Sequence, residues 1–203
     1  ELRLLLAVNF HKTFIPERRL IATLLEYAAL GKEGTLQEIS AETDIPMGKS
    51  SGKVPAIIDY ARGMGLIELE KGVGHAIKKP VLTGLGRTVY LEDKFLGEAI
   101  IQWLAHMNIC RSDIGALAWN AVFGGGRNTL GSSITEKQLE DYLISICGPG
   151  KDRTGPMILT YTDDAALARA GVLSLKKGKI TRKKAPLLDI YSTPYSAYIL
   201  TLM

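Results

Sequence analysis

The apolar spacing from Pro16 to Leu91 changes from a helical repeat to a strand-like alternation, and this change limits the folds open to the chain. Leu20, Leu24 and Ala28 recur at the intervals of one helix face. Two more helical segments follow, and then two short strands joined by a glycine-containing turn. Three helices followed by a β-hairpin predict a winged helix-turn-helix.

Local signals give the second and third helices their predicted limits. Thr35 and Glu38 have the spacing of a capping box, so a helix is expected from about Leu36 to Thr43. Pro55 is tolerated only in the first turn of a helix, so the third helix is expected to begin near Gly52 or Lys53.

A winged helix usually places its third helix in the major groove and its hairpin along the phosphate backbone. The candidate DNA contacts in this module are therefore the polar residues at the start of the third helix and on the hairpin. They are Lys49, Ser50, Ser51, Lys53, Lys71, His75, Lys78 and Lys79. Alternatively, these are solvated surface residues and the module binds another protein. The start of the third helix has no Arg, Asn or Gln, the usual side chains for reading base edges.

The net charge of +4 is concentrated in one place. Positions 1–100 carry 13 basic and 13 acidic residues, whereas positions 101–203 carry 12 basic and 8 acidic residues. The excess comes from a basic run without an intervening acid, formed by Lys176, Lys177, Lys179, Arg182, Lys183 and Lys184. Such a patch favours contact with nucleic acid. The alternative is a lysine-rich hairpin that charge keeps in solution.

The segment 61–72 has a counterpart at 168–178, and both have the pattern of a helix end, a glycine, an apolar strand and a basic turn. Thr135 and Gln138 form a second capping-box pattern before this copy, and Thr162 is expected to cap a short helix from Asp163 to Ala170. We expect a second winged-helix-like unit whose wing is the basic run.

The sequence thus predicts a mainly α fold with small β-hairpins. A winged helix-turn-helix at 10–92 is followed by apolar connecting helices at 93–130 and by the second winged-helix-like unit at 131–203. The sequence does not fix the oligomeric state.

Patterns of catalysis and metal binding are missing from the sequence. The two cysteines and three histidines are scattered without metal-ligand spacing, and neither a P-loop nor a Gly-x-Ser-x-Gly motif occurs. We therefore expect no enzyme activity, cofactor or metal. No apolar run reaches the 18–20 residues or so of a membrane span, so no membrane contact is expected. The sparse cysteines favour a reducing cytoplasm.

Short motifs resemble a bacterial domain-of-unknown-function family, the one numbered four thousand and seven. The motifs lie within about Asn9 to Leu143 and are Phe10–Arg18, Gly48–Val54, Leu82–Gly86, Glu98–His106 and Trp119-Asn120. Members of this family are commonly encoded beside phosphoadenosine-phosphosulfate-reductase-like enzymes, in DNA phosphorothioation and phage-defence clusters. The resemblance implies a DNA-linked accessory role and brings no catalytic residues with it.

Three hypotheses follow from the sequence. The first is an accessory protein of a DNA sulfur-modification or defence system that binds the backbone of double-stranded DNA. The second is an adaptor that docks a sulfur-transfer enzyme or nuclease through an apolar face around Trp103 or Trp119. The third is a transcriptional repressor of its own gene cluster.

Overall fold

A computed structural model describes residues 5–47, 52–74, 76–150 and 153–203. The structure is mainly helical and contains two small antiparallel sheets. This confirms the predicted class of an α-rich fold with small β-hairpins. The assignment of its parts to the winged-helix class stays a prediction.

The first unit has the predicted element order. Its elements are α1 (Arg18–Ala29), α2 (Leu36–Thr43), α3 (Val54–Gly63), β1 (Ile67–Lys71) and β2 (Lys78–Leu82). The capping box that starts α2 is confirmed, since the Glu38 amide donates to the Thr35 hydroxyl and the Glu38 carboxylate accepts from the Thr35 amide. Pro55 lies in the first turn of α3, as expected.

The connecting region is less regular than predicted. It follows α4 (Gly84–Glu92), the last helix of the first unit, and its own helices are α5 (Ala99–Ile109), α6 (Leu117–Trp119) and α7 (Arg127–Leu130). A π-helical turn at Asn120–Gly125 joins α6 to α7.

The second unit contains a three-stranded sheet rather than an isolated hairpin. Its elements are β3 (Ser133–Thr135), α8 (Glu136–Cys147), α9 (Thr154–Thr162), β4 (Leu173–Lys176), β5 (Lys179–Arg182) and α10 (Ser192–Leu200). The strand order is β3-β5-β4, with both pairings antiparallel. The capping box of Thr135 and Gln138 starts α8, as predicted.

The predicted helix from Asp163 to Ala170 is wrong. Thr162 ends α9 instead of capping a following helix, and its hydroxyl donates to the Ile158 carbonyl at 3.0 Å. Asp163 has an extended backbone and its carboxylate accepts the Ala165 amide at 2.8 Å, which forms a local turn. Only Ala168–Ala170 is helical, as a single 3₁₀ turn. The local hydrogen bond of an aspartate competes here with helix formation.

One hydrophobic core extends through both units and includes Trp103 and Trp119. These two residues are only 4% and 0% exposed, so a docking face around them is not available on the surface. That part of the adaptor hypothesis is wrong, because sequence periodicity alone does not distinguish a core face from a docking face. Among the described residues, no helix is long and apolar enough to cross a bilayer.

Candidate nucleic-acid interface

The basic run begins at the tip of the hairpin formed by β4 and β5. Lys176 and Lys179 are directly opposite each other in the register, and Lys177 and Gly178 form the two-residue turn between them. These two turn residues have φ angles of +50° and +71°. Positive φ at both positions is typical of a type I′ turn, whose twist matches that of the flanking strands. The turn therefore carries Lys177 outward between two further lysines.

The three-stranded sheet has one buried face and one polar face. Ile134, Leu173 and Ile180 are at most 5% exposed and form the buried face. Because side chains alternate along a strand, the residues between them are on the opposite face. Ser174 pairs with Thr181 in the register, and the Ser133 hydroxyl lies 3.3 Å from that of Thr181.

We call this polar face the outer face, and it consists of Ser133, Thr135, Ser174, Lys176, Lys179 and Thr181. It combines hydroxyl and ammonium groups, and none of the three strands contains an acidic residue. Lys176, Lys177 and Lys179 are all exposed, and no ion pair to them occurs among the described residues. Lysine and hydroxyl side chains are common ligands of DNA phosphates.

The rest of the basic run has a different position. Arg182 follows Thr181 in the strand alternation, so its side chain is on the inner side of the sheet. Its guanidinium donates to the carbonyls of Val122 at 2.7 Å and Arg127 at 3.1 Å, and also to that of Gly131. Lys183 and Lys184 follow β5 and are exposed beside an open cleft. The structure therefore divides the predicted patch in two. Lys176, Lys177 and Lys179 lie at the hairpin tip, formed by residues 176–179. The other three basic residues line the cleft.

Two of the candidate cations in the first unit are engaged with acids. Lys53 Nζ is 2.5 Å from Glu17 Oε1, and it also lies 5.4 Å from the centre of the Phe14 ring. Lys79 Nζ is 2.9 Å from Glu70 Oε2 across the β1–β2 hairpin.

Of the other first-unit candidates, Lys71 is exposed at the end of β1, and Lys78 is half-buried and pairs through its backbone with Gly34. The predicted contacts at Lys49, Ser50, Ser51 and His75 lie outside the described residues.

Sequence reasoning missed the hydroxyl residues of the outer face. The segment Ser133–Thr135 is too short to show a strand alternation, and it pairs with β5, which lies more than 40 positions away. Sequence reasoning also missed Arg127. Its side chain is brought to the cleft by the π-helical turn, which no local pattern predicted.

His106 is a core residue, as its apolar helix indicated, and is 7% exposed. Its Nδ1 lies 2.6 Å from the Tyr161 hydroxyl, which also accepts the Trp119 indole N–H at 3.0 Å. Burial lowers the pKa of His106 to about 3, so the imidazole is neutral near pH 7. Burial also raises the pKa of the neighbouring Cys110 thiol. This cluster therefore offers neither an imidazolium nor a thiolate at neutral pH.

No metal-binding cluster was found in the described parts of the chain, where no three His, Cys, Asp or Glu residues converge.

Two solved structures share this architecture of helices and small antiparallel sheets. They are crystal structures of SspB and of magnesium ion-bound SspB, which superimpose with TM-scores of 0.66 and 0.67 at 15% sequence identity. The match covers 94% of this chain and 66% and 65% of those chains, so the chain spans about two thirds of the SspB length. The chain therefore has the fold of this part of SspB. No protein-family model matches the sequence, and no curated protein matches it.

The magnesium ion in one SspB structure raises the question of a metal site in this chain. The described residues form no cluster of carboxylate and imidazole ligands that fits such an ion.

Proposed function

We propose that this protein is a DNA-binding accessory component of a bacterial DNA sulfur-modification or phage-defence system. The outer face and the hairpin tip contact the phosphate backbone of double-stranded DNA. The observation that carries the proposal is the placement of Lys176, Lys177 and Lys179 at one tip beside a hydroxyl-bearing face whose strands contain no acid.

The charge arrangement favours an anionic partner. Like charges directly opposite each other in an antiparallel pair destabilise a hairpin, and Lys176 and Lys179 have this relationship. The described residues supply no acid to neutralise them. A DNA phosphate would supply the missing negative charge and release the counterions condensed on the duplex. The unfavourable pairing in the free protein thereby becomes a favourable contact in the complex.

The biological setting of the proposal comes from the short motifs from Phe10 to Trp119, which resemble a family encoded in phosphorothioation and phage-defence clusters. The SspB structures add the shared fold. The proposal assigns this chain a binding role without a catalytic step.

The first unit has a secondary role in this proposal. Its lysines at 53 and 79 are neutralised by Glu17 and Glu70, so fewer positive charges are free for phosphates. Breaking a lysine–carboxylate ion pair costs free energy, which offsets part of the binding free energy that a phosphate contact would contribute. We therefore infer that the first unit at most helps to position the duplex, while the second unit holds it.

A salt titration of DNA binding tests the proposal. Fluorescence anisotropy with a labelled duplex of about 20 base pairs should show an affinity that falls as salt rises, with log K against log salt having a slope of about −0.9 per neutralised phosphate. A duplex of the same length but unrelated sequence should bind with similar affinity, because backbone contacts carry no sequence information. No binding at ~50 mM salt, where phosphate contacts are strong, would overturn the proposal.

The adaptor function is a second candidate, now without the tryptophan face. Exposed apolar side chains are concentrated in the C-terminal segment, where Leu187 is 91%, Ile190 78% and Leu200 69% exposed. Exposed apolar surface of this kind marks protein-interaction sites. An adaptor would retain partner binding after loss of the hairpin lysines, whereas the DNA-binding function would not survive that change. The repressor hypothesis stays a prediction, which one preferred operator sequence would support.

A further inference from the structure

An open cleft of about 450 Å³ lies at the base of the basic hairpin. One wall is formed by the segment from Phe123 to Ser132, which includes the end of the π-helical turn and α7. The other wall is the chain from Arg182 to Ala185, and His106 contributes to the floor. The cleft is thus separate from the hairpin tip, which is formed by residues 176–179.

The lining of this cleft is strongly cationic. It contains Arg127, Arg182, Lys183 and Lys184 and no acidic residue. The pKa of Arg182 is lowered by burial and by the positive charge of Arg127, and the described residues that line the cleft include no carboxylate. Four cations around one concave space strongly favour an anionic ligand.

The positive wall is held in place by packing and hydrogen bonds. Three backbone carbonyls, of Val122, Arg127 and Gly131, accept from the Arg182 guanidinium. The turn beneath them is also fixed, because the Tyr142 hydroxyl donates to the Ala121 carbonyl at 3.1 Å. A charged group whose position is set before binding loses little conformational freedom when a ligand arrives.

The polar and aromatic residues of the cleft define the kind of anion. Asn128 and Ser132 add neutral hydrogen-bonding groups to the cationic wall. The half-buried Phe123 ring supplies an apolar surface on which a base can stack. Clefts of about 300–1,000 Å³ are typical of small-molecule and cofactor sites, so there is space for a mononucleotide.

We propose that this cleft binds the phosphate group of a nucleotide. Arg127, Lys183 and Lys184 hold the phosphate, Arg182 adds positive charge from the wall of the cleft, and Phe123 contacts the base or sugar attached to the phosphate. The inference goes beyond the proposed function, because a DNA duplex held at the hairpin tip does not require a second, concave site. A free nucleotide and the 5′-phosphorylated end of a DNA strand carry the same chemistry.

Isothermal titration calorimetry with three probes tests the site. The probes are adenosine monophosphate, a short single-stranded oligonucleotide with a 5′-phosphate, and the same oligonucleotide without it. We expect at least one phosphate-bearing probe to bind measurably more tightly than the unphosphorylated oligonucleotide. Binding of the monophosphate indicates a free nucleotide as the natural ligand, and binding of only the phosphorylated oligonucleotide indicates a DNA end.

Two double variants locate the binding. R127Q/K184S removes exposed charges from the cleft and should raise the dissociation constant about tenfold or more, as expected for lost charge-assisted hydrogen bonds. K176S/K179S removes two charges from the hairpin tip and should leave unchanged both the dissociation constant of adenosine monophosphate and the ratio of the dissociation constants of the phosphorylated and unphosphorylated oligonucleotides. Circular dichroism confirms that each variant is folded, and K184S alone gives a second, milder test.

Three results would overturn the proposal. They are no binding of either phosphate probe, equal binding of the phosphorylated and unphosphorylated oligonucleotides, or an unchanged dissociation constant in R127Q/K184S. Failure of the proposed DNA-binding function has a different signature, since the wild-type protein would then bind nucleotide in the calorimeter but no duplex in the anisotropy titration.

Discussion

Lys176 and Lys179 are directly opposite each other at the end of the β4–β5 hairpin, with no acidic neighbour in either strand. This pairing lowers the stability of the hairpin and leaves two ammonium groups side by side for an anion. The substitution Lys179→Glu therefore separates stability from binding. A cross-strand ion pair with Lys176 should raise the free energy of unfolding by about 0.5 kcal/mol, while the affinity for duplex DNA should fall.

Lys32→Glu is the charge-matched control for this substitution. It changes the net charge by the same amount, but it breaks the 2.6 Å ion pair with Glu42 and lies in the first unit. Urea unfolding and anisotropy should show a slightly less stable protein with nearly unchanged DNA affinity. Equal losses of affinity in both variants would indicate that only the net charge matters.

Tyr161 stabilises the core through two buried hydrogen bonds, and Tyr161→Phe should remove both. The Trp119 indole N–H and the His106 Nδ1 would lose their partner, and each unsatisfied buried group costs about 1–3 kcal/mol. Tyr60→Phe is the control, because its hydroxyl donates to the Phe14 carbonyl at 3.0 Å, and its other neighbour, the Thr160 hydroxyl, keeps its own bond to the Pro156 carbonyl. Urea unfolding should show the larger loss in Tyr161→Phe. A loss no greater than that of Tyr60→Phe would contradict this account of the cluster.

His106 makes the stability depend on pH. Its pKa is about 3 in the folded state and about 6.5 when the chain is unfolded. Between these values the unfolded state binds the proton and the folded state does not, so stability is lost as the pH falls from about 6.5 toward 3. From pH 6.5 to pH 4.5 this loss amounts to about 2 kcal/mol. Plots of the free energy of unfolding against pH should have different slopes for wild type and His106→Gln across this window. Parallel plots would refute the low pKa assigned to His106.

Gly126 is required where the π-helical turn meets α7. A Cβ at this position would collide with the Ala121 carbonyl and would lie 2.6 Å from the Tyr142 hydroxyl, whereas a Cβ at Gly125 meets nothing within 4 Å. Gly126→Ala should therefore destabilise the protein by about 1–3 kcal/mol, as overpacking does. Gly125→Ala should be nearly neutral in the same thermal unfolding measurement. Similar melting temperatures for the two variants would show that the turn adapts.

The parts of the fold that local chemistry controls could be predicted from the sequence. The capping boxes at Thr35 and Thr135 start helices where they were expected. The echo between the two units is also visible in the backbone, since Gly65 and Gly171 have φ angles of +71° and +64° just before β1 and β4. Such conformations favour glycine, so the sequence contains their signal.

Long-range packing decided the features that were not predictable. The pairing of β3 with β5 creates the outer face, and no local pattern connects Ser133 with Thr181. The basic run is continuous in sequence, but strand alternation turns Arg182 inward, where three carbonyls bind it. Ion pairs such as Lys53–Glu17 are equally invisible in the sequence. The candidate site at the hairpin therefore contains fewer basic residues than predicted, and it also contains hydroxyl side chains that were not predicted.

The most direct test of the central claim compares two triple variants in the DNA salt titration. K176S/K177S/K179S removes the three positive charges at the tip of the β4–β5 hairpin. K71S/K78S/K79S removes the same number of lysines from the β1–β2 hairpin. The account predicts that the first of these variants reduces the magnitude of the salt slope by about 2.7, as for three lost phosphate contacts, and that the second changes it by less than about 1. Equal reductions, or a larger reduction in K71S/K78S/K79S, would contradict the claim that the second hairpin holds the DNA.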